Sequence, residues 1–334
     1  MSKQQNDNQQ GIVAILVTMI IMIVLSLMAT GFAQLARKEQ REALDRQLAN
    51  QAYYAAESGI NDARSAIANN FVGNKETCDP DGALSTYLQD NKVGDDGVVN
   101  YSCLLINQRL ADIRYLITPD ESRIVPINAV NSSGANVNLD KMTISWTAQG
   151  GGVSLPSANL GDLPSRSDYG TDKVGMLRVD LIPIVVGPGG INKNILSNSM
   201  LTFFAYPRSA AASDVSSLDN GNVVPANCST TCKITINVPN ATPTYYVRLK
   251  SIYNPIDVKM CLNSCDGSTL IHGAQAEIDS TGKANDVLKR IKVLDDINSS
   301  VSKMSNFPEF STQTKESICK DLEVWPSGAT WGGC

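Results

Sequence analysis

Eight cysteines are the residues of this 334-residue chain best suited to chemistry: Cys78, Cys103, Cys228, Cys232, Cys261, Cys265, Cys319 and Cys334. An even count, confined to the part of the chain beyond residue 77, suits an oxidising compartment. Spacing alone does not fix the connectivity. Proximity in sequence pairs 78 with 103, 228 with 232, 261 with 265 and 319 with 334. The two Cys-x-x-x-Cys pairs at 228/232 and 261/265 also have a spacing from which four thiolates could hold a tetrahedral zinc. An oxidising exterior favours two small disulfide loops instead. A bond between Cys319 and Cys334 would close a loop containing Pro326, Gly328, Gly332 and Gly333 and stabilise it by about 3 kcal/mol.

The remaining chemistry-bearing residues are sparse. His272 is the only histidine. The chain has no Gly-x-Ser-x-Gly, no His-Glu-x-x-His and no phosphate loop, so the sequence predicts no enzyme. Turns at Asp79-Pro80-Asp81-Gly82, at Asp90 with Asp95-Asp96-Gly97, and at Asp219-Asn220-Gly221 resemble fragments of calcium loops. None completes the twelve-residue pattern, and backbone preference accounts for such turns. No cofactor and no resident metal is expected. Net charge is −5, with no basic stripe carrying interleaved aromatics, which argues against nucleic-acid binding. Trp325 and Trp331 lie in the C-terminal stretch, where they could anchor a partner or be partly buried.

The elements that would carry these residues begin with an apolar run. Gly11 to Phe32 reads GIVAILVTMIIMIVLSLMATGF, without a charge or a proline. As a helix it would span roughly 33 Å, enough to cross a bilayer core of about 30 Å. Residues 1–10 are a short polar leader without the apolar core of a secretory signal. Beyond Phe32 no proline occurs as far as Phe71. Leu44, Leu48, Ala52, Ala55, Gly59, Ala63 and Ile67 recur at three- and four-residue steps, one face of an α-helix, with Ala56 and Ala66 at its edges. Small side chains on that face allow another layer to approach closely. Arg37, Arg41, Asp45, Arg46, Asp62 and Arg64 are read as the opposite face. The basic residues around the apolar run, Lys3 before it and Arg37, Lys38 and Arg41 after it, would by count alone put the remainder of the chain in the cytoplasm. The cysteines point the other way, and they decide the reading.

After Val72 the pattern becomes strand-like. Candidates are 114–118, 142–147, 176–186, 200–206, 233–238, 244–251, 256–261, 270–278 and 287–293, bounded by Gly, Pro, Asn and Asp. Residues 150–172 and 209–227 read as long loops. The expected fold class is α+β: a long N-terminal helix laid on a large, mainly antiparallel, disulfide-bearing β head.

The combination of a polar leader, Gln9-Gln10-Gly11, an apolar helix from Ile12 and an amphipathic continuation ending in AYYAAESGINDARSAI resembles the type IV pilin superfamily. Within it, the chain looks most like PilX-type minor pilins and the large tip pseudopilins of type II secretion. The resemblance is strong over residues 8–68. It is looser over 244–293, where DSTGKANDVLKRIKV looks like a late strand and turn, and it does not cover 72–240. It implies a leader of residues 1–11, a helix over 12–71 with its membrane part at 12–32, a β-rich insertion at 72–240 and a pilin-like C-terminal sheet and disulfide loop at 241–334.

The resemblance further implies cleavage by a prepilin peptidase between Gly11 and Ile12. It implies residence in the inner membrane with the head outside the cytoplasm, then assembly with other pilins or pseudopilins into an extracellular pilus. A cell-surface ligand for the head is a further expectation. Two residues depart from the pattern. The family usually has glutamate five residues after the cut, where this chain has Leu16, and often phenylalanine at the first position, where it has Ile12. The glutamate is thought to neutralise a neighbour's N-terminal amine, and a buried unpaired charge is costly. Leu16 cannot make that pair, which favours a minor subunit at the fibre tip, priming or capping assembly.

Overall fold

A computed structural model describes residues 7–79, 87, 92–93, 98–156, 163–183, 200–209, 214–238, 244–297, 322–324 and 329–331. Its first element, α1 (Asp7–Ala68), is one unbroken helix of 62 residues. At 1.5 Å per residue it is about 93 Å long. Among the described residues fifteen strands follow: β1 (Val99–Leu110), β2 (Asp112–Ile117), β3 (Ser122–Val130), β4 (Lys141–Ala148), β5 (Met176–Pro183), β6 (Leu201–Arg208), β7 (Asp214–Val215), β8 (Val223–Cys228), β9 (Cys232–Asn237), β10 (Thr244–Ile252), β11 (Ile256–Leu262), β12 (Leu270–Ala284), β13 (Val287–Asp296), β14 (Leu322–Val324) and β15 (Ala329–Trp331). The α+β reading holds: a long apolar N-terminal helix is followed by a large β-rich head with disulfides.

The chain divides into two compact units. The first comprises residues 1–107 and 277–295, and the second comprises 108–276 and 296–334. In the first, α1 accompanies parts of β1, β12 and β13, with β12 hydrogen-bonded to both of the others. Cys78 and Cys103 are bonded there. The β12–β13 hairpin turns at Asn285, whose φ of +54° suits the left-handed conformation that asparagine tolerates.

In the second unit the strand order runs β12-β3-β10-β5-β6-β8-β9-β4-β11-β2. The pairs whose register is defined are antiparallel, except β6 with β8 and β7 with β9. The larger of two buried clusters described in this unit is built on Trp146, Phe203, Tyr245, Ile113, Ile127, Ile144 and Leu249, and a smaller one gathers Tyr169, Met176 and Tyr206. The two ends of the order meet through Gln275. Its side-chain amide accepts from Arg114 N at 3.0 Å and donates to Arg114 O at 2.8 Å, so a side chain of β12 does for β2 what a neighbouring strand would do. Tyr115 packs beside Asp296, and burial together with that carboxylate pushes its phenol pKa up.

Several strand expectations shift. Residues 209–227 are not one long loop: they contain β7, a 3₁₀ turn at Ser217–Asp219 and most of β8. Asp219, read as part of a calcium-loop fragment, is half of a capping box, accepting from Ser216 N at 2.7 Å. β1 and β3 are additional strands. Each interrupts its apolar alternation, β1 with the buried Gln108 and β3 with Pro126, and tertiary pairing overrides those local signals. Cys228 is bonded to Cys232 across the β8–β9 turn, and Cys261 to Cys265 at the end of β11. Those bonds consume the four thiolates the zinc alternative requires. Among the described residues, no group of three His, Cys, Asp or Glu side chains could hold a metal. The Cys319–Cys334 pairing, the loops at 80–82, 90 and 95–97, and the side chains of Trp325 and Trp331 lie outside the described residues.

Candidate membrane and assembly helix

The two halves of α1 differ in what surrounds them. Every described side chain from Val13 to Gln47 is exposed, including Leu16, Met22, Leu27, Phe32 and Leu44. The helix is long and apolar enough to cross a membrane, and none of its apolar window is buried by the protein. The three hydroxyls of the apolar run are satisfied within the helix. Thr18 donates to Ile15 O at 2.9 Å, Ser26 to Met22 O at 2.8 Å, and Thr30 to Ser26 O. With backbone bonds also internal, the run from Val13 to Phe32 offers lipid no unsatisfied donor. The helix is unbroken through Gly11 and Ile12, whose side chains lie outside the described residues.

From Leu48 onward the helix acquires a covered face. Ala52, Ala55, Ala56, Gly59, Ile60, Ala63 and Ala66 are buried, and Leu48 and Ile67 are half-buried. Of the residues named from periodicity, Ala52, Ala55, Gly59 and Ala63 are buried on this face, while Leu44 is exposed, as is Leu16, the other residue expected in helix packing. Ile60 was missed, and Ala56 and Ala66, read as edges, are fully covered.

The opposing layer is β12, whose alternate residues Ile278, Ser280, Gly282 and Ala284 are buried. Four largely small residues at period two thus meet a small-residue stripe at period 3.6. The approach leaves no room for a side chain at two glycines. A Cβ on Gly282 would collide with Ala52 O and Ala56 N and would sit 3.0 Å from Ala55 C. A Cβ on Gly59 would collide with Ser280 Oγ and lie 3.0 Å from Tyr101 Cγ. Glycine in a helix interior costs about 1 kcal/mol relative to alanine, and the close packing accounts for its use at 59. The β12 partner was legible as the run DSTG but not as a helix contact, because only the pairing of the two periods reveals it.

One ion pair joins α1 to β13 and two join β13 to β12. Arg64 Nε meets Asp295 Oδ2 at 2.7 Å, Lys292 Nζ meets Glu277 Oε2 at 2.8 Å, and Arg290 grips Asp279 through Nε and Nη2. Hydrogen bonding to Asp279 raises the Arg290 pKa further. Tyr53 and Tyr54 stay exposed beside the covered face, edge to face with ring centroids 5.9 Å apart. His272 lies elsewhere, in β12 opposite Asn128 of β3. Burial and the nearby Arg109 charge lower its pKa, which favours the neutral ring.

An exposed apolar half is thus continuous with a half that packs through alanine and glycine. Residues 10–61 match the family model described as PilX N-terminal. The match supports a type IV pilin-like minor pilin. It covers the helix up to the last turns of its packed half, and it fits a membrane-anchored pilus component that interacts with other pilus components. That family is structural rather than catalytic. No curated protein and no solved structure matches the chain.

Proposed function

We propose that this chain is a minor pilin that assembles at or near the tip of a type IV pilus, priming or capping the fibre and presenting its head outward. The observation that carries the reading is the coincidence of the matched segment, residues 10–61, with a helix exposed over its apolar half and packed through small residues over the rest. A prepilin peptidase cuts between Gly11 and Ile12. The helix then holds the subunit in the inner membrane with the head on the oxidising side, where Cys78–Cys103, Cys228–Cys232 and Cys261–Cys265 form.

On extraction into a fibre, the same apolar surface packs against other pilins. Its backbone bonds are internal in both settings, so the transfer needs no refolding. Leu16, with no charge to pair, suits a position that has no neighbour above it. Membership of a type II secretion pseudopilus uses the same helix. A tip adhesin is the second reading, favoured by the size of the second unit.

N-terminal sequencing of the mature protein from a host with a prepilin peptidase tests the proposal. A methylated Ile12 at the first position, with the protein recovered in sheared pili, is the expected result. A start at Met1, or beyond Phe32, overturns it.

A further inference from the structure

The second unit carries a groove of about 490 Å³ on the outward face of β2, β11, β4 and the β8–β9 turn. That size lies within the range of small-ligand sites. The β4 and β11 backbone at Trp146 and Val258 floors it, while both side chains are buried in the core behind the sheet. Its outward side chains are Arg114, Leu116, Ser145, Thr147, Thr231, Asp257 and Lys259, which the β2–β11–β4 register places side by side: Arg114 opposite Lys259, Lys259 opposite Ser145, Asp257 opposite Leu116 and Thr147.

The donors here are not used up within the protein. Asp112 holds both cations, with Arg114 Nε at 2.9 Å and Lys259 Nζ at 3.1 Å. Burial alone would raise the Asp112 pKa, but hydrogen bonds from Arg114 and Lys259 outweigh it and keep the carboxylate below its usual range. That leaves two cations sharing one carboxylate. Among the described residues, the Arg114 Nη atoms and the Thr147 and Thr231 hydroxyls make no bond within the protein. Across the groove Asp257 spends Oδ2 on Gly150 N at 3.0 Å, and its other oxygen can accept. Leu116 is 45% exposed and supplies an apolar rim.

We propose that this groove binds a carboxylate-bearing saccharide. The ligand's carboxylate meets Arg114 and Lys259, its hydroxyls meet Asp257, Thr147 and Thr231, and its C–H face lies on Leu116. The inventory selects this class over others. A peptide strand adding to the sheet needs the β2 edge, and Gln275 already holds the N–H and C=O of Arg114 there. An acidic peptide gains nothing from Asp257, which repels its carboxylates but serves as acceptor for sugar hydroxyls. Nucleic acid needs many uncompensated cations, and this face offers two, both paired with Asp112, with the carboxylate of Asp257 beside them. The site belongs to the second unit, so it stands whether or not the chain enters a pilus.

Full-length protein in detergent, titrated with 3′-sialyllactose and with a glucuronate-containing disaccharide, tests the assignment, with lactose and a glutamate-rich peptide as controls. Saturable binding of at least one acidic saccharide and none of lactose is expected. Lys259→Ala and Arg114→Ala should each weaken it about tenfold or more, the scale of one charge-assisted hydrogen bond. Asp257→Asn should weaken it while leaving the melting temperature unchanged. Absence of binding to either acidic saccharide overturns the proposal, as does equal binding of the acidic peptide or indifference to the Lys259 and Arg114 substitutions.

Discussion

At the scale of single residues, the closest contact in the first unit decides more than any charge. Gly282 faces helix backbone, which cannot move aside as a side chain can. Gly282→Ala therefore forces α1 away from β12 and should destabilise the full-length protein by about 1–3 kcal/mol, the range for overpacking a tight contact. Denaturant titration in detergent measures it, and an unchanged midpoint would show that the layers are not in contact. Ser280 predicts the opposite sign. Its Oγ is buried without a hydrogen-bond partner. Ser280→Ala removes an unsatisfied group and should leave stability unchanged or raise it by about 1 kcal/mol. A large loss on Ser280→Ala would mean that the hydroxyl is satisfied after all. The ion pair Arg64–Asp295 is solvent-exposed, and such pairs are worth about 0–1 kcal/mol.

At the scale of elements, what the sequence reveals depends on whether a periodic pattern is self-contained. α1 is legible because its apolar run and its small-residue stripe each repeat without interruption. Most strands from β4 to β13 are legible for the same reason. β1 and β3 are not, because Gln108 and Pro126 break their local pattern and only their neighbours hold them in place. Nor could the sequence show Gln275 standing in for a strand. A glutamine in an apolar run reads as an irregularity, whereas the structure gives its amide both backbone groups of Arg114. Gln275→Ala leaves that N–H and C=O without their partner and should cost about 1–3 kcal/mol if no water replaces the amide. Hydrogen exchange gives the more specific readout. Protection of the Arg114 amide should fall while the amides at the centre of β10 stay protected. Equal loss throughout the unit would mean that the side chain supports global packing rather than closing the β2 end. The candidate groove was equally invisible in sequence, because Arg114, Thr147 and Lys259 come together only through the pairing of β2, β11 and β4.

At the scale of the whole molecule, α1 separates two tasks along its length. No described residue before Leu48 is buried, so the lipid half contributes no covered surface to the folded head, while the stretch from Ala52 to Ala66 contributes the helix layer of the first unit. A chain beginning at residue 36 therefore loses the apolar run without losing a single buried contact. It should be soluble without detergent, form the three disulfides Cys78–Cys103, Cys228–Cys232 and Cys261–Cys265, and melt within a few degrees of the full-length protein. A chain beginning at residue 68 loses Ala52, Ala55, Gly59 and Ala63 and exposes Ile278 and Ala284 to water. It should lose cooperative unfolding of the first unit. Mass spectrometry of the disulfides and calorimetry of both truncations read the difference. Should the shorter chain melt like the longer one, the packed half of α1 would be dispensable to the fold, and its alanine and glycine stripe would have to be explained by contacts with other subunits alone.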